Sequence, residues 1–340
     1  MGRAYLVEQV EHEGGKPTRT VDLRDLPDAS LPDAAVTVTV DVEYSSINYK
    51  DALVLTGRPG VVRTFPMVAG IDLVGVVAES SDPAWTAGDR VALFGDGLSE
   101  TRYGGLSERT KVRSDALVRV PDHVSSAQAA AIGTAGYTAA LAVLALEHGS
   151  ATSGAVRVGG LPVLVTGAGG GVGSIAIALL AAAGFEVAAS TGRVDELGDA
   201  LRQLGATSIV DRAEFAEAGR PLGSQRWAGA VDSVGGQTLA TVLSQVEYGG
   251  TVAACGLAGG SDLPTSVMPF ILRGVTLAGV NSVEAPLPLR QTAWERVTTA
   301  LDLDVLDTLT ETVSLAEATD AAERVLAGSV HGRIVVDVRA

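Results

Sequence analysis

The segment Leu161-Pro162-Val163-Leu164-Val165-Thr166-Gly167-Ala168-Gly169-Gly170-Gly171-Val172-Gly173-Ser174 decides the reading of this chain. A short apolar run enters a glycine cluster, and an alanine-rich segment then continues from Ser174 to Ala183 before Gly184 stops it. That order predicts strand, tight turn and helix. Without Cβ atoms the backbone can reverse sharply and approach a pyrophosphate closely. The unpaired N–H groups and the positive dipole end of the following helix then face the phosphate charge. The spacing is not a strict G-x-G-x-x-G. The best register, Gly167-x-x-Gly170-x-x-Gly173, is a relative of that fingerprint. Gly167, Gly170, Gly171, Val172 and Gly173 are therefore candidate dinucleotide contacts.

Downstream of the turn, strands and helices alternate. Further strands are expected at 186–190, 207–210, 228–234, 250–255 and 275–280, with helical patterns between most of them. Six strands with crossover helices predict a doubly wound Rossmann domain. Upstream, residues 1 to about 126 are β-rich, with candidate strands at 35–42, 70–77, 90–94 and 116–120 separated by Gly, Pro and Asp. That pattern predicts an antiparallel, barrel-like domain. Pro121-Asp122 opens a helical region in which Ser125 and Gln128 have capping-box spacing. Gly133 and Gly136 are expected to break the 127–146 run into two helices. The break permits either close helix packing or approach of the backbone to a cofactor. The tail carries helices at 289–301 and around 315–327 and a strand at 333–338, and is expected to return to the first domain. The expected division is 1–126 with 284–340 against 127–283.

Composition bounds the function. A 340-residue chain that is 46% apolar and only 4% aromatic suits an α/β protein of one or two domains with buried parallel strands. A formal charge of −15 argues against a general nucleic-acid or anionic-membrane surface, though it leaves room for a local basic pocket. Cys255 is the only cysteine, so an intrachain disulfide and a cysteine-rich zinc lobe are both excluded. No apolar run of membrane length and no signal-peptide core are evident, and a cytoplasmic location is expected.

The end of the second Rossmann strand discriminates between nicotinamide cofactors. NAD sites usually carry Asp or Glu there, to accept the ribose hydroxyl. Here the chain reads Ser190-Thr191-Gly192-Arg193, and the nearest acids, Asp195 and Glu196, come later. A hydroxyl and a guanidinium favour a 2′-phosphate, which a carboxylate would repel. NADPH is the expected cofactor.

Several segments together carry a resemblance: Ser45-Ser46-Ile47-Asn48-Tyr49-Lys50-Asp51, Phe65-Pro66-Met67-Val68-Ala69-Gly70-Ile71-Asp72, the glycine turn, Ser190 to Arg193, Ala254-Cys255-Gly256-Leu257-Ala258-Gly259-Gly260, Met268 to Val275, and Gly279-Val280-Asn281-Ser282-Val283. They span nearly the whole chain. The chain resembles the medium-chain dehydrogenase/reductase superfamily and, within it, the zinc-free quinone-oxidoreductase-like branch that contains bacterial acrylyl-CoA reductases. The resemblance implies an α/β fold: a doubly wound Rossmann domain plus a β-rich GroES-like barrel catalytic domain. Zinc-dependent members use Cys and His ligands. Ile71-Asp72 stands where their Gly-His-Glu motif would lie, and His12, His123, His148 and His331 are scattered. No metal is expected, and Cys255 is expected to pack rather than react.

The resemblance further implies hydride transfer from NADPH to the β carbon of an α,β-unsaturated acceptor, most directly acrylyl-CoA to propionyl-CoA. Negative charge then develops on the carbonyl oxygen and needs hydrogen-bond donors, and the α carbon needs a proton. Asn48, Tyr49, Lys50 and Asp51 are the candidate catalytic residues. Tyr49 could contact cofactor or enolate, Asn48 could orient the carbonyl, and Lys50 with Asp51 could alternatively form a local ion pair. Thr134, Leu257 and Asn281 join the turn and Ser190 to Arg193 as candidate cofactor contacts. Arg58 and Arg63, flanking a glycine-proline loop, are candidates for the phosphates of coenzyme A or simply solvated loop arginines. A quinone reductase and a non-catalytic NADPH-binding or structural protein are the alternatives. A homodimer is expected, formed through the sixth Rossmann strand.

Overall fold

The computed structural model describes residues 2–12, 14–27, 37–149 and 154–340. Ala35 and Val36 of the expected 35–42 strand lie outside these residues. The chain divides into two compact units: Met1–Thr134 with Ser282–Gln291 and Leu303–Ala340, and Ala135–Asn281 with Thr292–Asp302. The expected division after 126 thus stands against one after Thr134, and residues 292–302 of the tail belong to the second unit.

The chain begins with strands β1 (Gly2–Val10), β2 (Thr18–Leu26) and β3 (Thr37–Ser46), then helix α1 (Tyr49–Leu55). Strands β4 (Met67–Val68), β5 (Asp72–Ser80), β6 (Arg90–Phe94), β7 (Arg109–Arg113) and β8 (Val118–Arg119) follow. Helix α2 (Ser126–His148) leads to β9 (Val163–Val165), α3 (Gly171–Ala182), β10 (Val187–Thr191), α4 (Val194–Gln203) and β11 (Ser208–Asp211). Next come β12 (Trp227–Asp232), α5 (Gly236–Gln245), β13 (Val246–Ala254), α6 (Met268–Arg273) and β14 (Thr276–Gly279). The tail holds α7 (Leu287–Ala300), α8 (Leu303–Thr308), β15 (Thr310–Ser314), α9 (Ala318–Leu326) and β16 (Arg333–Asp337).

In the first unit, β3 is the hub. It pairs antiparallel with β5, β7 and β16 along different stretches of its length. The sheet runs β15-β16-β3-β5-β6-β8, and a smaller sheet runs β2-β1-β4. Val38, Val40 and Val42 alternate inward from β3 and join Leu73, Val91, Leu93, Val112, Ile334 and Val336 in one core. The tail does return to this unit: β16 closes against the end of β3 near Ser45 and Ser46. That pairing places a residue near the C-terminus, Arg333, beside the segment that begins α1.

The second unit is a six-stranded parallel sheet in the order β11-β10-β9-β12-β13-β14. Numbered within the unit this is 3-2-1-4-5-6, the doubly wound arrangement, whose ligand crevice lies beyond the carboxyl ends of the central strands. Every residue of β9, β10 and β12 is buried, as strands covered on both faces must be. No α-helix connects β11 to β12. A single 3₁₀ turn, Arg212–Phe215, does so, and its Phe215 is fully buried with its ring 6.4 Å from that of Trp227. Burial of one such side chain contributes about 1.5–3 kcal/mol.

Two expectations are corrected. The helix after the glycine turn starts at Gly171, three positions earlier than its apolar run suggests. Glycine is a poor helix former, but a helix head packed against its own turn leaves no room for a side chain. Helix α2, moreover, is long and apolar enough to cross a membrane by length and composition, against the expectation of no such run. It is a core helix: 89% of its most apolar window is buried within the protein.

Candidate active site

In the second unit the turn after β9 has the 167-170-173 register. Gly167 takes a positive φ of 60°, and its carbonyl accepts the N–H of Gly170 at 3.0 Å. Gly170 is exposed and extended and caps α3 without a side chain. A Cβ on Gly173 would lie 2.4 Å from the carbonyl oxygen of Gly167, so helix and turn can touch only through glycine. Gly171, Val172 and Gly173 head the helix, where N–H groups have no intrahelical acceptor. No acidic side chain sits in that first turn. Exposed glycine backbone, converging donors and absent carboxylates fit a pyrophosphate.

Ser190 and Thr191, both buried, end β10. The Ser190 carbonyl accepts the N–H of Ala168, tying strand to turn. The Thr191 hydroxyl accepts the N–H of Arg193 at 3.1 Å. Arg193 caps α4, and its guanidinium bonds Glu196 at 3.2 Å on the next turn. A second arginine, Arg212, lies against Gly192: a Cβ there would be 2.4 Å from Arg212 Nε. Sequence reasoning missed Arg212. Parallel pairing sets Thr191 beside Asp211, so the residues following β10 and β11 are neighbours, and the strand order would have pointed to it. Leu257 is 64% exposed just beyond β13, and Asn281 is exposed beyond β14. Burial raises the carboxyl of Asp232, which accepts from the Thr166 hydroxyl and the Gly235 N–H. Burial also pushes the Cys255 thiol up to about 12, with the nearby Asp232 charge adding to it. This thiol stays protonated and donates to the Asp232 carbonyl.

In the first unit the end of β3, the start of α1, β5, the bend of α2 and β16 bring together Ser46, Asn48, Asp51, Asp72, Thr134 and Arg333. Asp72 and Arg333 are buried. The Asp72 carboxylate accepts from the Ser46 hydroxyl at 2.5 Å, the Asn48 amide at 2.8 Å, the Thr134 hydroxyl at 2.5 Å and the Thr134 N–H at 3.0 Å. Arg333 donates to the Ala131 carbonyl at 2.6 Å, the Ser46 hydroxyl at 2.9 Å and the Asn48 side-chain carbonyl at 3.1 Å, with Asp72 4.0 Å away. Its own desolvation lowers the arginine's pKa, and the two aspartates oppose that shift.

Gly133 makes this cluster possible. It breaks α2 at φ 48°, ψ −161°, as the two-glycine segment predicts. A Cβ there would fall 2.6 Å from an Asp72 oxygen and 2.9 Å from Arg333 Nη2. The bend turns the Thr134 N–H onto Asp72, so within this unit it serves a carboxylate. Ser125 and Gln128 form the expected capping box at 3.0 and 3.1 Å.

Asn48 caps α1 in a reciprocal box with Asp51. Its amide donates to Ser46, Asp51 and Asp72, and its carbonyl accepts Arg333. Both its amide and its carbonyl are thus bonded within the cluster, and they support the start of α1. Asp51 is fully buried and accepts the N–H groups of Asn48 and Ile71. Burial, then the Asp72 charge, push its carboxyl up to about 7. The possible Lys50–Asp51 ion pair does not form. Adjacent helical residues point in different directions, and Lys50 instead bonds Glu100 at 2.6 Å. Tyr49 heads α1 with half of its surface exposed, and its hydroxyl bonds no described residue.

Glu100 also faces Arg63, at 3.6 Å, whose side chain is 72% exposed. Arg58 is exposed and has no ion pair among the described residues. Also among the described residues, no three His, Cys, Asp or Glu side chains converge as a metal site would require.

Comparison with known proteins agrees with these two units. Residues 34–122 match the family described as "Alcohol dehydrogenase GroES-like domain", and residues 171–302 that described as "Zinc-binding dehydrogenase". "Acrylyl-CoA reductase AcuI" of Ruegeria pomeroyi is 48% identical over 98% of this chain and 99% of its own length. The crystal structure of the Salmonella enterica yhdH oxidoreductase in complex with NADP superposes with a TM-score of 0.91 at 46% identity, covering 99% of this chain and all of that one. Bacillus subtilis yhfP, solved with NAD bound, superposes at 0.90 with 40% identity, covering 99% of both chains. Its curated counterpart, 42% identical over 94% of this chain and 93% of its own, is named "Putative quinone oxidoreductase YhfP".

Proposed function

This chain belongs to the medium-chain dehydrogenase/reductase superfamily, and on that premise we propose that it is an NADPH-dependent reductase of an activated carbon–carbon double bond, with acrylyl-CoA as substrate. The observation that carries the reading is the end of β10, where a threonine, a glycine and two arginines gather and the strand itself ends without a carboxylate. NADP in the Salmonella structure and the name of the Ruegeria relative support it.

The bound cofactor supplies a hydride to the β carbon of the acceptor. The chain's own residues do the rest. Gly167 to Gly173 hold the pyrophosphate through backbone N–H groups. Tyr49 presents the only candidate catalytic group left unbonded, a hydroxyl able to donate to the enolate oxygen or to pass a proton to the α carbon. Asn48, Asp51, Asp72 and Arg333 fix the helix head that carries Tyr49. Arg58 and the outer face of Arg63 are the cations available to coenzyme A phosphates, while Lys50 neutralises Glu100. A homodimer through the sheet edge at β14 and a cytoplasmic location belong to the same proposal.

A quinone acceptor is the second reading, supported by the name of the Bacillus relative. Oxidation of NADPH and of NADH with acrylyl-CoA, crotonyl-CoA and benzoquinones, measured side by side, tests both. Turnover with acrylyl-CoA and NADPH, with the label of 4-deuterated NADPH recovered on the β carbon, is the expected result. Turnover with quinones alone would replace the proposal with its alternative.

A further inference from the structure

We propose that Arg19, with Arg58 beside it, binds the 3′-phosphate of a coenzyme A thioester. The inference rests on the enoyl-CoA reading above and adds a residue that the sequence pattern does not single out.

Strand β2 supplies the first observation. Its residues alternate, with Thr18, Thr20 and Asp22 exposed and Arg19, Val21 and Leu23 half-buried. Val21 and Leu23 pack against the core of the first unit, so Arg19 stands on the face where side chains are otherwise apolar. Its guanidinium lies over the Phe65 ring, 5.6 Å from the centroid. Its Nε is buried and has no hydrogen-bond partner among the described residues. A cation withdrawn this far from water costs free energy until an anion meets it, and an aliphatic residue would cover Phe65 without that cost.

The nearest carboxylates on β1 and β2 are committed elsewhere. Gln9, directly opposite Arg19 on β1, donates to Glu11 at 2.6 Å. Arg24 holds Glu8 and Asp22, each at 2.8 Å. Arg19 has no ion pair among the described residues.

The third observation is place. Gly57 follows α1, and a Cβ on it would lie 3.5 Å from the Arg19 carbonyl oxygen and 3.9 Å from the Arg19 Cβ. The next residue, Arg58, donates its backbone N–H to the Leu53 carbonyl at 2.8 Å, and its side chain is exposed with no ion pair among the described residues. Two uncommitted arginines thus spring from adjoining backbone positions, in a chain of formal charge −15. Tyr49 heads the helix that Arg58 follows, roughly 13 Å away at about 1.5 Å per residue. A coenzyme A thioester has the same layout, with the reacting acyl group at one end of the pantetheine arm and the phosphorylated adenosine at the other. The planar fork of a guanidinium matches a phosphate monoester.

The test is steady-state kinetics of the full chain with saturating NADPH and three substrates: acrylyl-CoA, acrylyl-dephospho-CoA, which lacks only the 3′-phosphate, and acrylyl-pantetheine. Wild type, Arg19→Met, which keeps an apolar stem on Phe65, and Arg19→Lys are compared, with thermal melting to show that each is folded. In wild type the KM should be lower for acrylyl-CoA than for acrylyl-dephospho-CoA. Arg19→Met should raise the KM for acrylyl-CoA about tenfold, the lower end for a charged hydrogen bond at a site open to solvent. It should leave kcat, and the KM for the other two substrates, within about twofold. Arg19→Lys should recover part of the loss. An unchanged KM for acrylyl-CoA in Arg19→Met, or an equal rise for all three substrates, would overturn the inference and leave the enoyl-CoA reading standing. A wild-type protein that reduces quinones and none of the three thioesters would overturn both.

Discussion

Arg333 Nη1 donates to the side-chain carbonyl of Asn48 at 3.1 Å, joining residues 285 positions apart in the chain. The bond makes the head of α1 depend on the last strand of the protein. Arg333 also brings its charge within 4.0 Å of the buried Asp72 carboxylate. Replacing it with Met leaves that carboxylate without its cation and Asn48 without its donor. Loss of one partner of a buried pair costs about 3–5 kcal/mol. Urea denaturation of Arg333→Met should show a loss of this size, with Arg333→Lys intermediate. Unchanged stability would show that these contacts of Arg333 contribute nothing to the fold.

Gly133→Ala should be among the most damaging substitutions of small size. The position needs φ 48°, and a methyl would meet Asp72, Arg333 and Ser46 at 2.6, 2.9 and 3.1 Å. Strain at such a φ costs on the order of 1–3 kcal/mol before any clash. A total loss above about 2 kcal/mol is expected. A change under about 0.5 kcal/mol, typical of ordinary surface sites, would show that the kink tolerates a side chain.

Asp51 gives stability a particular pH dependence. Its native carboxyl is raised to about 7, so between about pH 4 and pH 7 the folded chain holds a proton that the unfolded chain has released. Its contribution is present at acid pH and is lost as pH rises through 7. Asp51→Asn removes the titration and should flatten this part of the curve, although it exchanges an acceptor for a donor beside Ile71 and costs some stability throughout. Parallel curves for the two proteins from pH 4 to 8 would contradict the assignment.

Tyr49 separates catalysis from support. Tyr49→Phe removes a hydroxyl that bonds no described residue, so stability should hardly change. Turnover should fall by about 10²–10³ if that hydroxyl donates in the transition state, with NADPH affinity within a few-fold of wild type. Unchanged turnover with weakened NADPH binding would make Tyr49 a cofactor contact. Asn48→Ala should behave differently and lower stability and turnover together.

Much of the fold was legible from local pattern. Apolar runs after Val163, separated by helical periodicity, predict the six strands of the second unit to within a few residues. The glycine spacing predicts the turn, and the lack of an acid after strand two predicts the cofactor. The capping box at Ser125 and the break at Gly133 are local for the same reason: their chemistry lies within a few residues. β1 and β2 were not individually foreseen. β2, Thr18–Leu26, alternates charged with apolar residues and buries none of them fully, so it shows little apolar contrast.

The sequence by itself determined which segments become strands, turns and helices, because hydrophobic period and glycine freedom act over one or two turns of chain. Only the tertiary structure decided the partners. It placed Arg333 on Asn48, Lys50 on Glu100 rather than Asp51, and Arg212 on Gly192. The first and last of these contacts follow from which strand ends lie side by side. Strand order is set by crossover handedness and by burial of whole faces, and no single residue carries that information.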